Sequence, residues 1–392
     1  MNGTLALWFE APPTVAPLAP PDGSPADEAL ARRETVARPT VRLHVNLWRD
    51  LSRRVNFLDI GFLLSDVSSL GRLYLYLPAP ISLSSLLDLS DALKDVDTLN
   101  AVFNEVADVV REEDGHFVIR NGAGPERFIY SVQPGRDVTI HRINVPGREQ
   151  GTVIALTGAL CARLRSGAPG AQHYVRLRIL LAGAARNLFT TEDTGSGVGL
   201  SLTQDVLETT EFRLNERRSY PPAILQRATA GRVNLQSVHY FLIRSKDFQL
   251  GSQHQNFRKI RYLEHDIWTG YLAVGQSAKW LPFGQRGAKG MVIYQWRELA
   301  AGLDNGLDDF IAYASFRTAQ PKIIAYMVAV LAIGVVGNGM LNIAVTALQH
   351  GYQKLGRPAP GAGWLNLYVV IAGLAVVALL PLLHRWLRRR FR

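Results

Sequence analysis

From Val41 the chain alternates: Val41, Leu43, Val45 and Leu47 are apolar, and Arg42, His44 and Asn46 between them are polar. A side-chain period of two belongs to a strand with one face buried, so the pattern predicts a strand there. Val55–Leu64 and Leu73–Leu77 continue in the same style, the second ended by Pro78 and Pro80. Further strands are predicted at His116–Arg120, Phe128–Val132, Val138–Val145, Tyr174–Leu181, Phe257–Tyr262, Ile267–Val274, Met291–Trp296 and Phe310–Phe316. Val238–Ile243 is apolar throughout, as expected of a central strand. The period changes once. Val96, Leu99, Phe103, Val106 and Val110 recur at spacings of three and four, which predicts a helix ended by Gly115. Leu83, Leu86 and Leu87 suggest a shorter helix before it. The resulting fold class is α+β, mostly antiparallel and strand-rich, with one or two helices.

The C-terminal pattern is different. Ile323–Leu348 and Trp364–Leu383 are two long apolar runs joined by a Gly/Pro loop, and residues 322–392 contain no Asp or Glu. A helix of about 20 apolar residues spans a hydrocarbon core of ~30 Å. The expectation is a transmembrane hairpin, making this a two-pass membrane protein. The loop carries Lys354 and Arg357, whereas Arg385, Arg388, Arg389, Arg390 and Arg392 follow the second run. By the positive-inside rule both termini are expected to be cytoplasmic, at an inner membrane. Gly334, Asn338, Asn342 and Thr346 fall in line on the first run. Two readings of that polar face stand side by side, packing against the second run or an oligomeric face lining a pore.

Composition sharpens the division of the chain. The formal net charge is +10. Residues 322–392 hold 8 of the 43 Lys and Arg, which leaves 35 basic against 33 acidic residues upstream. A domain that binds duplex nucleic acid shows a basic bias of its own, so that partner is not expected. One cysteine, Cys161, allows no intrachain disulfide, in keeping with a reducing compartment. Residues 1–40 are rich in Pro and Ala and predict a disordered arm, and no basic region precedes the apolar patch in Met1–Glu10 to suggest a signal peptide. The expected organisation is an arm over 1–40, an α+β subdomain over 41–170, a β-rich subdomain over 171–321, and the hairpin with its basic tail over 322–392.

Candidate chemistry is sparse. The histidines are scattered, with no metal-ligand spacing, and neither a P-loop nor a Gly-x-Ser-x-Gly elbow occurs. No metal, cofactor or catalytic residue is therefore predicted. Glu264-His265-Asp266 is read as a turn between two strands. Two basic clusters suit a phosphate-bearing ligand, because guanidinium forks bond phosphate in pairs and stack on aromatic rings. The first is Arg213, Arg217 and Arg218; the second is Arg258, Lys259 and Arg261, set among Phe257, Tyr262 and Trp268. A solvated strand face balanced by Glu211, Glu216, Glu264 and Asp266 is the alternative for both.

Thr194-Gly195-Ser196-Gly197-Val198-Gly199-Leu200 resembles the second glycine box of histidine-kinase-type ATPases, where glycines let a lid approach ATP phosphates. The Asp-x-Gly-x-Gly box and the Asn-bearing helix of that family do not stand upstream. In layout alone, a sensing domain joined to a hairpin resembles membrane effectors of bacterial antiviral signalling. That layout implies a sensor whose soluble domain recognises a ligand or protein partner and drives homo-oligomeric pore formation in the lipid bilayer. A tail-anchored scaffold that docks a partner and a membrane-anchored ATP-dependent enzyme are the alternatives.

Overall fold

The computed structural model describes residues 4–13, 37–50, 55–122, 124–144, 150–168, 170–194, 203–275, 288–302, 305–321, 323–356, 358, 361 and 364. By internal contact the chain divides into one unit of 1–194 with 206–318 and another of 195–205 with 319–392. The class is α+β: strand-rich, with three sheets and five α-helices among the described residues.

A ten-stranded sheet forms the centre of the first unit. Its order is β16 (Lys259–Tyr262), β17 (Met291–Leu299), β14 (Asn234–Ser245), β2 (Thr40–Asp50), β3 (Val55–Ser65), β11 (Gln172–Leu180), β8 (Arg127–Tyr130), β7 (His116–Arg120) and β6 (Asp108–Glu113), with β5 (Leu86–Asp88) also on β11. Pairing is mostly antiparallel, but β2 with β14 and β8 with β11 run parallel. A boundary near residue 170 divides the sequence and not this sheet, because β11 and β14 pair with β3 and β2.

The alternation in β2 sorts its side chains. Val41, Leu43, Val45 and Leu47 are fully buried in a core shared with a four-stranded sheet, β1 (Ala6–Glu10), β4 (Arg72–Leu77), β10 (Gly151–Leu156) and β9 (Val138–Ile143). Phe212, Phe310 and Phe316 reach the same core from a third sheet, β12 (Thr190–Thr194), β13 (Thr203–Leu214), β18 (Phe310–Pro321) and β15 (Gln249–Gln253). The other face of β2 carries His44, Asn46 and Trp48 toward α1 (Val96–Phe103) and α4 (His265–Ala273), whose Leu99, Phe103, Trp268 and Tyr271 build a second core with Trp48. The helix α2 (Gly158–Arg165) gives Leu160 and Leu164 to the first core, and α3 (Pro222–Ala230) covers Trp8 with Ile224 and Ala228.

Several expectations need correction. The arm over 1–40 begins with a strand: Leu5, Leu7 and Phe9 face one core and Ala6 and Trp8 another, an alternation outweighed by the Pro/Ala composition that follows. The predicted helix over Val96–Val110 stops at Phe103. Asp95 caps its start by accepting from the Thr98 N–H at 2.8 Å, and Asn104 turns left-handed at φ 54°. Asn100 Oδ1 then accepts from the Ala107 N–H at 2.8 Å, so Val106 and Val110 leave the helix face and stand exposed. Leu83–Leu87 is a single 3-10 turn, Leu83–Ser85, followed by β5. The strand predicted over Ile267–Val274 is instead the helix His265–Ala273, since Trp268, Tyr271 and Leu272 bury at spacings of three and four. Glu264-His265-Asp266 accordingly opens a helix rather than joining two strands.

The second unit holds α5 (Ile323–Lys354). Among the described residues no helix is long and apolar enough to cross a membrane. In the described part from Gly337 to Gly356, Asn338, Asn342, Thr346, Gln349, His350 and Gln353 interrupt the apolar positions at every turn. Gly334, Asn338, Asn342 and Thr346 are exposed, and the Thr346 hydroxyl donates to the Asn342 carbonyl at 2.8 Å, inside the helix. The two-pass, inner-membrane assignment with cytoplasmic termini is overturned by this, and the pore reading that depends on it goes no further. The second run beyond Trp364 lies outside the described residues.

Candidate anion-binding face

Residues paired across a sheet share a face, so the register of β2, β14 and β17 fixes what the polar positions of β2 meet. His44 pairs with His239 and His239 with Arg297, making one row. Asn46 pairs with Phe241, Phe241 with Gln295 and Gln295 with Lys259, making the next. Arg42 lies one step along β2 from His44 on the same face. Arg258 precedes β16 and donates its backbone N–H to the Gln295 carbonyl at 2.8 Å. Arg42, Arg258, Lys259 and Arg297 are exposed, and none forms an ion pair among the described residues.

The electrostatics follow from that. Burial, then Arg258 and Arg42, pull the Arg297 guanidinium below its ordinary range. Burial, then Arg297, Arg258 and Arg42, push the His239 imidazole down to about 4. His44 is held well below the usual histidine range by burial first and then by His239, Arg176, Arg127 and Arg42. Glu105 acts in the opposite sense at His239, but its carboxylate already faces Arg127 at 3.4 Å and Asn121 Nδ2 at 3.2 Å. The result is a face with several cations, two neutral imidazoles and a deficit of negative charge.

The sequence-predicted clusters part company here. Arg213 pairs with Glu216 at 2.8 Å and Glu211 at 3.7 Å, Arg218 pairs with Glu216 at 2.5 Å, and Arg217 lies 3.7 Å from Asp308. Their open cleft of about 530 Å³ also holds Asp309, so carboxylates there outnumber the guanidiniums of Arg217 and Arg218. Arg261 pairs with Glu264 at 2.8 Å. Only Arg258 and Lys259 of the predicted set join the unpaired face, in company with Arg42, His239 and Arg297. Those three carry no local signature; a strand alternation shows that Arg42 and His44 share a face, but not which strand lies beside them. The glycine stretch Gly195–Leu202 lies outside the described residues. Cys161 is buried, its thiol pushed up to about 12 by burial, and no three His, Cys, Asp or Glu side chains among the described residues are placed to hold a metal.

On the same side of the sheet, along β3 and β11, a buried network flanks these residues. Asp59 accepts from Arg178 Nε at 2.8 Å and Nη2 at 3.1 Å, from Trp48 Nε1 at 2.9 Å and from Tyr271 Oη at 2.7 Å. Arg176 donates to Tyr271 Oη and Tyr174 Oη, both at 2.8 Å, which leaves the Tyr174 proton for His44 Nδ1 at 3.3 Å. Phe103 closes over Tyr174 with ring centroids 4.7 Å apart, and the Arg127 guanidinium lies 4.4 Å above the Phe103 ring.

No protein-family model matches the chain, and no curated protein matches it.

Proposed function

We propose that this chain is a recognition module that binds a phosphate-bearing ligand on the face made by Arg42, His239, Arg258, Lys259 and Arg297. The observation that supports this reading is the contrast in pairing: Arg42, Arg258, Lys259 and Arg297 face no carboxylate among the described residues, while Arg213, Arg217, Arg218 and Arg261 each face one. Holding like charges together is unfavourable, and an anion removes the repulsion while gaining charge-assisted hydrogen bonds. Neutral His239 adds a ring N–H donor without further positive charge. The reading is one of binding; no reaction is assigned to it.

The test is calorimetric titration of the full chain with inorganic pyrophosphate at low and high salt. The expected result is saturable binding that weakens with salt and falls at least about tenfold in Arg258→Ala or Arg297→Ala, the loss expected for a charged hydrogen bond. Arg217→Ala should bind like the parent protein. Absence of binding, or equal losses at Arg217 and Arg297, would overturn the proposal.

A further inference from the structure

The row next to the arginines ends in a small cavity of about 20 Å³ beneath α1, lined among others by Asn46, Asn104, Phe241, Trp268, Lys259 and Gln295. Asn46 is only 4% exposed. Trp268 is 1% exposed, and its indole N–H lacks an acceptor among the described residues. A buried donor is rarely left this way, and one beside a cavity that a carboxamide also lines points to a ligand atom that accepts from it. The cavity has room for one such atom and not for a whole ligand.

Room for the rest lies next to it. Ala101, Asn104 and Arg261 line both this cavity and an open cleft of about 340 Å³ between α1 and the start of α4. That volume is in the range of small-molecule sites. Gln295 and Arg297 are two residues apart on one face of β17, so the carboxamides and the cations lie about 7 Å apart. Asn46, Asn104 and Gln295 each offer a flat donor and acceptor pair, Phe241 offers an apolar ring beside them, and Trp268 offers one further donor. That set suits the edge of a planar, carbonyl-bearing heterocycle.

We infer that the ligand is a nucleotide, with its base in the cleft and its edge on Asn46 and Gln295, and with its phosphates on Arg258 and Arg297. This rests on the phosphate reading above and adds to it the class of the ligand. Inorganic phosphates or a sugar phosphate would engage the arginines but leave the Trp268 indole N–H without an acceptor.

The experiment is titration of the full chain with four nucleoside 5′-diphosphates differing in base, beside ribose 5-phosphate and inorganic pyrophosphate. At least one nucleoside diphosphate is expected to bind tenfold or more tightly than pyrophosphate. In Gln295→Ala, at a half-buried position that tolerates truncation, and in Asn46→Ala, that ratio should shrink toward one. Circular dichroism melts of both variants confirm folding, and a fold lost in Asn46→Ala leaves Gln295→Ala to decide. Equal affinity for pyrophosphate and all four nucleotides, with Arg258→Ala still weakening both, would overturn the base assignment and leave the phosphate site standing. A preference among bases that persists in Gln295→Ala would also overturn the assignment. Failure of every probe to bind would overturn both readings.

Discussion

The imidazole of His44 lies 5.1 Å, centroid to centroid, from that of His239 across the parallel pair of β2 and β14. Among the described residues neither ring is hydrogen-bonded to a carboxylate, and Glu105, which favours protonation of His239, is the weakest of the influences on it. Burial and the surrounding arginines hold both down, His239 to about 4 and His44 well below 6.5. Burial and then His116 hold His173 at about 4 as well.

The first prediction concerns acid stability. Between pH 6.5 and 4 the unfolded chain binds protons at these histidines and the folded chain does not, so stability falls as the pH is lowered through that window. His239 alone should account for a loss on the order of 2 kcal/mol near pH 4. Urea midpoints measured from pH 7 to 4 should decline, and the decline should be shallower in His239→Asn. An identical slope in that variant would mean that other groups, carboxylates included, carry the whole effect.

A second prediction concerns the buried pair on β3 and β11. Asp59 and Arg178 are both fully buried and joined by two hydrogen bonds. Arg178 Nη1 also donates to the carbonyls of Tyr271 at 3.0 Å and Val274 at 2.9 Å, tying α4 to the sheet. Asp59→Asn leaves a buried guanidinium without its counter-charge and should cost about 3–5 kcal/mol. Tyr271→Phe removes one of four donors to the carboxylate and the acceptor of Arg176 Nε but leaves both charges in place, and should cost less, about 2 kcal/mol. Guanidinium unfolding of the two variants checks the ranking; a Tyr271→Phe loss as large as that of Asp59→Asn would contradict it.

Which parts of this could be read from the chain follows from the range of each interaction. β2, β3, β4, β7, β11 and β17 were legible because alternation is set by near neighbours and the cores honour it. The helix α4 was not, since Ile267, Trp268, Tyr271 and Leu272 mix aromatic and β-branched residues, which favour strands, with a helical spacing over barely two turns. Asn104 ended α1 where only its left-handed backbone, absent from any apolar pattern, could show it. The unpaired cationic face was half legible. Arg258 and Lys259 stand beside aromatic residues in sequence, but Arg42 and Arg297 reach them through pairings between positions some 200 and 40 residues distant. For Arg213, Arg217 and Arg218 the balancing Glu216 stands beside them in sequence, whereas Asp308 meets Arg217 only in space.

The third prediction tests the close approach that shapes this network. Gly61 pairs with His44 on one side and Arg176 on the other, and a Cβ there would sit 2.1 Å from Tyr174 Oη and 2.6 Å from its Cζ. The phenol cannot swing away cheaply. It is fully buried, bonded to Arg176 at 2.8 Å and His44 at 3.3 Å, and covered by Phe103. Gly61→Ala should therefore destabilise the fold by about 1–3 kcal/mol through overpacking. Tyr174→Phe removes the nearest clashing atom but leaves the ring, so Gly61→Ala with Tyr174→Phe should recover part of that loss and not all of it. In a double-mutant cycle the two changes should couple by on the order of 1 kcal/mol in the compensating sense. Strict additivity would show that the backbone of β3 or β11 shifts to admit the methyl group. The Tyr174 hydroxyl would then play no part in why glycine stands at position 61.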